Sequence, residues 1–247
     1  MLNLSLLVCT KNSAKTIISC LNSSLPILKA GAELIIVDGR SIDNSVKLVL
    51  EFLETHNINY YCICSQLNCG LYEAFNLAIE NSNRKKILFL HSDDVLKNLH
   101  TIIEDVRICS ANVIFYGIEI EGSFLKRKWH FKNLSSINVK SMLIPPHAGI
   151  LVDRNVYDKI GKFRTDYKIA ADFDWILRLL FTSNVSFSFS HEITYIMKSG
   201  GVSNSGICSE FTKFLEDVKV LKSHRFKYPV YKVFQKKVNK LYQLKKI

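Results

Sequence analysis

The stretch KKILFLHSDDVLKN, Lys85 to Asn98, changes character at its midpoint. Lys86 to Leu90 is a short apolar run of strand length, read as a buried strand. The chain then delivers His91, Ser92 and two adjacent carboxylates, Asp93 and Asp94. At about 4 Å and an effective dielectric near 20, two such charges repel by roughly 4 kcal/mol. Water, a helix N-terminus or a cation must offset that repulsion.

The same punctuation occurs three times upstream. LNLSLLVC, ELIIVD and NYYCICS read as strands. AKTIISCLNSSL, SVKLVLEFLE, LYEAFNLAIENS and, after the fourth strand, LHTIIEDVRIC have helical spacing. Four strand–helix repeats predict an α/β fold with a mainly parallel sheet and helices on both faces. Ligands of such sheets lie beyond the carboxyl ends of the strands. Polar clusters follow each strand here: Cys9–Ser13, Asp38–Ser45, Ser65–Gly70 and His91–Asp94. They would gather on one rim. No G-x-G-x-x-G follows a strand and no G-x-x-x-x-G-K-[ST] is present, so neither the dinucleotide fingerprint nor the phosphate loop accounts for that rim.

The second half is less regular. ANVIFYGIEIEG and FLKRKWHF look like paired strands, and PPHAGILVDRNVYDKIG holds a strand, then a short helix from near Asp153. AADFDWILRLLFTS is helical, SFSFSHEITYIM alternates as a half-buried strand does, and KSGGVSNSG is a loop with Gly200 and Gly201 as hinges.

The 247 residues fit one large domain or a domain with an appendage, and 48% hydrophobic content argues against disorder. No run approaches the roughly 18 apolar residues of a membrane span. The N-terminus lacks a basic lead-in and reads as a first strand rather than a signal peptide, so a cytoplasmic location is expected. The seven cysteines are odd in number and form no C-x-x-C pair. Cys62, Cys64 and Cys69 could in principle hold a metal, but the strand places Cys62 and Cys64 on one face as small buried hydrophobes.

The net charge of +11 is concentrated at one end. Lys219–Ile247 carries ten of the 33 basic residues and no acidic one, which leaves 23 basic against 22 acidic in the body. A nearly neutral body speaks against a nucleic-acid partner. In the tail, Pro229 suits a first helical position, and Val230, Phe234, Val238 and Leu241 recur at helical spacing among lysines. That pattern fits a basic amphipathic helix on an anionic membrane and equally a helix packed on the domain with a solvated lysine face.

The blocks LLVCTKNSAKTIISCLNSSL, IIVDGRSIDNS, NCGLYEAFNLAIENS, ILFLHSDD and KIAADFDWILRLL, taken in order, resemble family 2 glycosyltransferases of the GT-A fold. The nearest likeness is to the bacterial subgroup that builds O-antigen, capsule and colanic-acid chains. The resemblance spans about residues 3 to 203. It implies a GT-A domain over 1–210, with a nucleotide-binding half (1–110) and an acceptor half (111–210), followed by a basic helical tail over 211–247. It further implies inverting transfer of a hexose from a UDP-sugar to a lipid-linked glycan acceptor, assisted by Mn²⁺ or Mg²⁺, at the inner face of the cytoplasmic membrane.

Residue by residue, the resemblance assigns Asp93 and Asp94 to the metal, where hard oxygen ligands suit these ions. Many relatives carry Asp-x-Asp, and His91 stands at the first Asp here. The alternative is that the pair caps the following segment. Asp172 matches the general base, with Ala171 at the position of the usual Glu; the alternative is an N-cap. Asp174 and Arg178, four apart on the same helix, read as an ion pair. Thr10, Asn12, Asp38, Arg40, Asp43, Gly70, Ser92 and Asp93 are expected to line the nucleotide, although turn chemistry alone also favours such residues. His147, Gly200 and Gly201 are expected near the diphosphate or acceptor, with a hydrogen-bonded core histidine as the alternative for His147. Tyr72 and Phe75 read as core.

Two other functions compete on the residues alone. A sugar-1-phosphate nucleotidyltransferase would want a glycine-rich loop where CTKNSAK has none. A non-catalytic glycan- or nucleic-acid-binding protein would use the tail but leaves Asp93, Asp94 and Asp172 unexplained.

Overall fold

The four strand–helix repeats are all present in the computed structural model, which describes residues 1–66, 70–121, 126–198, 207–242 and 244–245. They comprise β1 (Leu4–Thr10), α1 (Ile17–Lys29), β2 (Glu33–Asp38), α2 (Ser45–Thr55), β3 (Tyr61–Ser65), α3 (Leu71–Asn81) and β4 (Lys86–Phe89). A two-residue strand, β5 (Val95–Leu96), then precedes α4 (Leu99–Ile108). The second half contains β6 (Val113–Glu121), β7 (Lys126–Trp129), β8 (Ile150–Asp153), α5 (Arg154–Ile160), α6 (Ala171–Phe181) and β9 (Phe187–Lys198). Helices α7 (Ile207–Ser223) and α8 (Pro229–Tyr242) and a short β10 (Leu244–Lys245) follow.

Strands β3, β2, β1 and β4 lie side by side and parallel, so their carboxyl ends share one edge. Beyond β4 the sheet becomes mixed. β8 runs antiparallel to β4 and to β6, and β9 returns parallel to β6. The apolar runs are continuous because both faces of the sheet are covered. Successive side chains point to opposite faces. Leu4, Leu6 and Val8 therefore enter one core with Leu34, Ile36 and Leu88. Leu7 joins Ile35, Val37, Ile87 and Phe89 in the other.

Strand β3 is the exception. It closes one edge of the sheet, and Cys62 and Cys64 are half-buried there rather than buried as the sequence suggested. Their sulfurs lie 3.4 Å apart against the edge of the core. The expected FLKRKWHF strand is seen as β7; Phe124 and Leu125 lie outside the described residues.

Two features tie the second half down. Lys86 is 2% exposed and pairs with the Asp153 carboxylate at 2.9 Å while also donating to the Ala111 carbonyl at 2.9 Å, so the buried ammonium is neutralised and hydrogen-bonded together. At Gly117, β9 approaches so closely that a Cβ would lie 3.0 Å from the Ile193 side chain and 3.1 Å from the Glu192 carbonyl. The register between β6 and β9 shifts at that point.

The C-terminal helices pack on the domain. Val220, Leu221 and Val233 are wholly buried in the core that contains Trp175 and Leu179 of α6. Pro229 occupies the first position of α8, as its fixed φ favours. β10 adds to the sheet against β7.

Candidate active site

The rim begins at the ends of β1 and β2, where Thr10 and Asp38 are direct neighbours in register. Both are buried. Asp38 Oδ2 accepts the Ser41 N–H at 3.0 Å, but Asp38 Oδ1 and Thr10 Oγ1 are buried with no hydrogen-bond partner among the described residues. Such orphaned groups cost about 1–3 kcal/mol each. Two of them side by side at a strand edge match the needs of a polar ligand.

The loops after β1 and β2 clasp each other. Asn12 Oδ1 accepts the Ile42 N–H at 2.9 Å, and its own N–H donates to Ser41 Oγ at 2.8 Å. Asp43 accepts from Ser45 Oγ–H at 2.5 Å and from the Ala14 and Ser45 amides at 3.0 Å each. The Ser45 hydroxyl, followed by the Ala14 amide, holds the Asp43 carboxyl below the usual carboxylate range. The side chains of Asn12 and Asp43 thus shape the loops. Asn12 and Arg40 sit at positive φ, +52° and +60°, a conformation uncommon for residues other than glycine and frequent at functional loops. Arg40 is exposed at the tip.

The end of β4 is anchored from three directions. The Ser92 hydroxyl is 2.8 Å from that of Ser13, which joins the first and fourth loops. Tyr195 of β9 is fully buried, and its hydroxyl accepts the His91 N–H at 3.0 Å. Asp94 is 2% exposed and accepts the Lys198 N–H at 2.9 Å. Burial raises its pKa, opposed by His91 and by hydrogen bonds from Lys198 and Tyr195. Asp93 is half-buried, and its carboxylate takes no hydrogen bond or ion pair among the described residues. The two adjacent carboxylates therefore differ: Asp94 faces the protein and Asp93 does not share its partners. Neither is an N-cap, because Asn98 holds that position for α4.

Asp172 sits in the first turn of α6, one residue inside its start. The N-cap is Ala170, so Asp172 is not the cap. Its Oδ1 accepts the Phe173 N–H at 2.7 Å and lies 3.3 Å from the hydroxyl of Tyr72, which also donates to the Ile169 carbonyl at 2.5 Å. Burial raises the Tyr72 pKa and keeps it a donor. The Tyr72 ring meets Phe75 at 5.7 Å, and Phe75 meets His91 at 5.6 Å. A short train of side chains thus connects Asp172 to the loop bearing Asp93. Asp174 points into the protein, as expected, and pairs with Arg178 at 2.9 Å; His224 adds a contact at 3.0 Å.

His147 lies under this train, 6% exposed, with rings of Phe89, Phe163, Trp175 and Phe75 within 6.0 Å. Burial pulls its pKa down to about 3, so the imidazole is neutral. It is packed among these aromatic rings in the interior. Gly70, N-cap of α3, accepts from Gln66 Nε2 at 2.6 Å, and the Glu73 carboxylate occupies the space a Cβ there would need. Gly200 and Gly201 lie outside the described residues.

The contacts of Tyr195 with His91, of Ser13 with Ser92, and of Glu216 of α7 with the amides of residues 168–170 ahead of α6 carry no signal in the sequence. Tyr195 falls in a strand that reads as generic alternation, Ser13 in a polar loop, and Glu216 in an ordinary helical stretch, FLEDVK. Tyr72 was legible as core; the reach of its hydroxyl was not.

The chain is similar to known proteins in sequence and in fold. The family model described as "Glycosyl transferase family 2" matches residues 5–169. The chain is 24% identical over 221 residues to a PGL/p-HBAD biosynthesis glycosyltransferase of Mycobacterium tuberculosis, covering 85% of this chain and 83% of that one. Among solved structures, TarS residues 1–349 of S. aureus in complex with UDP-GlcNAc aligns with a TM-score of 0.65 at 18% identity, over 88% of this chain. This chain spans 66% of that TarS chain. The mannosyltransferase PcManGT of Pyrobaculum calidifontis, in complex with GDP-Man and Mn²⁺, aligns with a TM-score of 0.64 at 15% identity, over 94% of this chain and 68% of that one. The fold is accordingly GT-A-like: an α/β sheet flanked by helices, with helices appended at the C-terminus.

Proposed function

The chain belongs to glycosyl transferase family 2, an inverting family of nucleotide-sugar-dependent enzymes, and we propose that it transfers a hexose from a UDP-sugar to a polyprenyl-diphosphate-linked glycan. Such a reaction serves the assembly of a cell-surface polysaccharide of the O-antigen, capsule or colanic-acid kind. The observation that supports the reading is the series of contacts Asp172–Tyr72–Phe75–His91, which links the expected base to the loop of the expected metal carboxylates.

Thr10 and Asp38 offer the nucleoside a hydroxyl and a carboxylate oxygen whose hydrogen bonds are otherwise unmade. Asp93, steadied by the buried Asp94, would hold Mn²⁺ or Mg²⁺. Among the described residues no three metal-ligating side chains converge, and a set of one or two carboxylates suits an ion that also binds substrate phosphate oxygens. Bound there, such an ion neutralises diphosphate charge and stabilises the charge that grows on the departing UDP. Asp172 takes the proton of the acceptor hydroxyl as that oxygen attacks the anomeric carbon from the face opposite the leaving group, which inverts the configuration. A positioned base of this type contributes about 10²–10⁴-fold in rate.

The acceptor's lipid places the enzyme at the inner face of the cytoplasmic membrane. Among the described residues no helix is long and apolar enough to cross a membrane. Helix α8 instead exposes Tyr231, Phe234 and Val238 in the most basic part of the chain, and α7 exposes Phe211 and Leu215 just ahead of it. Aromatic and aliphatic side chains among lysines suit peripheral contact with anionic lipid.

The test is a panel of sugar nucleotides, GDP-mannose among them, assayed for Mn²⁺-dependent nucleotide release with and without lipid-linked acceptors. Release from a UDP-sugar that rises on adding the acceptor is expected. Release only from a guanosine donor would overturn the donor assignment, and Asp172→Asn with full transfer would remove Asp172 from the chemistry.

A further inference from the structure

Three consecutive backbone amides just ahead of α6 converge on one side chain from another helix. Glu216 of α7 accepts the Lys168 N–H on Oε1 at 2.9 Å, and the Ile169 and Ala170 N–H groups on Oε2 at 2.8 and 3.0 Å. These residues are irregular in conformation, so no helix or strand ladder serves their amides. Ala170 is the N-cap of α6, and Asp172 stands two residues on. The same segment is held from its other side, where the Ile169 carbonyl accepts the hydroxyl of Tyr72, itself 3.3 Å from Asp172 Oδ1.

We propose that Glu216 is the positioning residue for Asp172. Its carboxylate fixes the path of residues 168–170 and therefore the direction in which the first turn of α6 presents the base. The proposal rests on the reading of Asp172 as general base. Neighbouring contacts tie α7 and its end to other parts of the domain without reaching residues 168–170: Lys219 to Asp166 at 3.1 Å, His224 to Asp174 of α6 at 3.0 Å, and Lys236 of α8 to both Asp217 oxygens at 2.9 Å. They provide the control. Under this proposal α7 is part of the catalytic apparatus as well as a surface helix.

The experiment compares Glu216→Ala, Glu216→Gln, Asp217→Asn and Asp172→Asn in the full-length chain, reading kcat, donor KM, UDP affinity and thermal midpoint. Glu216→Ala should lose about ten- to a hundredfold in kcat, the scale of a misplaced reacting group, with donor KM and UDP affinity within twofold of wild type. Glu216→Gln, which keeps an acceptor oxygen, should recover part of that loss. Asp217→Asn should lower the thermal midpoint and leave kcat within twofold. Wild-type kcat in Glu216→Ala overturns the proposal, as does an equal kcat loss in Asp217→Asn at an equal midpoint. If the alanine variant does not fold, Glu216→Gln decides alone: reduced kcat at unchanged donor KM supports the proposal and wild-type kcat overturns it. An active Asp172→Asn defeats the base reading and this inference with it. An inactive Asp172→Asn beside a fully active Glu216→Ala defeats the positioning role only.

Discussion

The carboxylate of Asp94 accepts the Lys198 amide at 2.9 Å and so joins the end of β4 to the end of β9. Asp93, its neighbour in sequence, has no such bond among the described residues. Folding thus gives two identical side chains different work. One secures the loop, and the other is left without a partner among the described residues.

The difference can be measured. Asp93→Asn should raise the Mn²⁺ concentration needed for half-maximal nucleotide release by about tenfold or more and leave the thermal midpoint unchanged. Asp94→Asn removes a charge whose burial is unfavourable, raising its pKa, and keeps an acceptor for the Lys198 amide. Its midpoint at pH 8 should equal or exceed that of wild type. A lower midpoint in Asp94→Asn would show that the charge itself is needed for stability.

Thr10→Val should separate stability from binding. The Thr10 hydroxyl is buried without a partner among the described residues, so its removal should leave the midpoint of the free protein unchanged or higher. UDP should bind about tenfold more weakly, the loss of one good hydrogen bond. Calorimetric titration with UDP reads the second effect, and unaltered affinity would exclude Thr10 from the pocket.

Tyr72→Phe deletes the hydroxyl shared by Ile169 and Asp172. We expect kcat to fall by about tenfold while donor KM holds, because the Ile169 carbonyl loses its donor and Asp172 loses the hydroxyl 3.3 Å from its Oδ1. A change confined to donor KM would place Tyr72 in nucleotide binding instead.

Asp174 sets an acid limit on stability. Burial would raise its pKa, but the His224 hydrogen bond and the Arg178 charge outweigh that and lower it. A carboxylate whose folded pKa is depressed contributes stability above its unfolded value, about 3.9, and loses that contribution as pH falls through the folded value. Asp174→Asn should cost about 3 kcal/mol at neutral pH, typical of breaking a buried pair. The gap to wild type in urea unfolding should shrink below about pH 4. A gap that is constant from pH 7 to pH 3 would contradict the linkage.

The exposed face of α7 and α8 has a separate test. Phe211→Ser, Tyr231→Ser and Phe234→Ser together should reduce co-sedimentation with phosphatidylglycerol vesicles several-fold, because all three are more than half exposed. The thermal midpoint should stay near wild type. Undiminished vesicle binding would move the contact elsewhere.

Much of the architecture was legible because it rests on periodicity. Leu4, Leu6 and Val8 must leave β1 on one side and Leu7 on the other, and four such runs separated by amphipathic segments admit few arrangements. The polar residues after each run were legible for the same reason: parallel strands bring their ends together. The burial of Cys62 and Cys64 was misjudged because a strand does not announce that it lies at an edge.

Local sequence therefore determined the strands, the helices and the rim that carries Thr10, Asp38 and Asp93, since each follows from chain geometry over a few residues. Tertiary structure alone decided which carboxylate turns inward, that Tyr72 reaches Asp172 across a hundred residues, and that Glu216 grips the entrance to α6. Those outcomes depend on where a distant donor comes to rest, and hydrogen bonds between segments far apart in the chain leave no periodic trace in it.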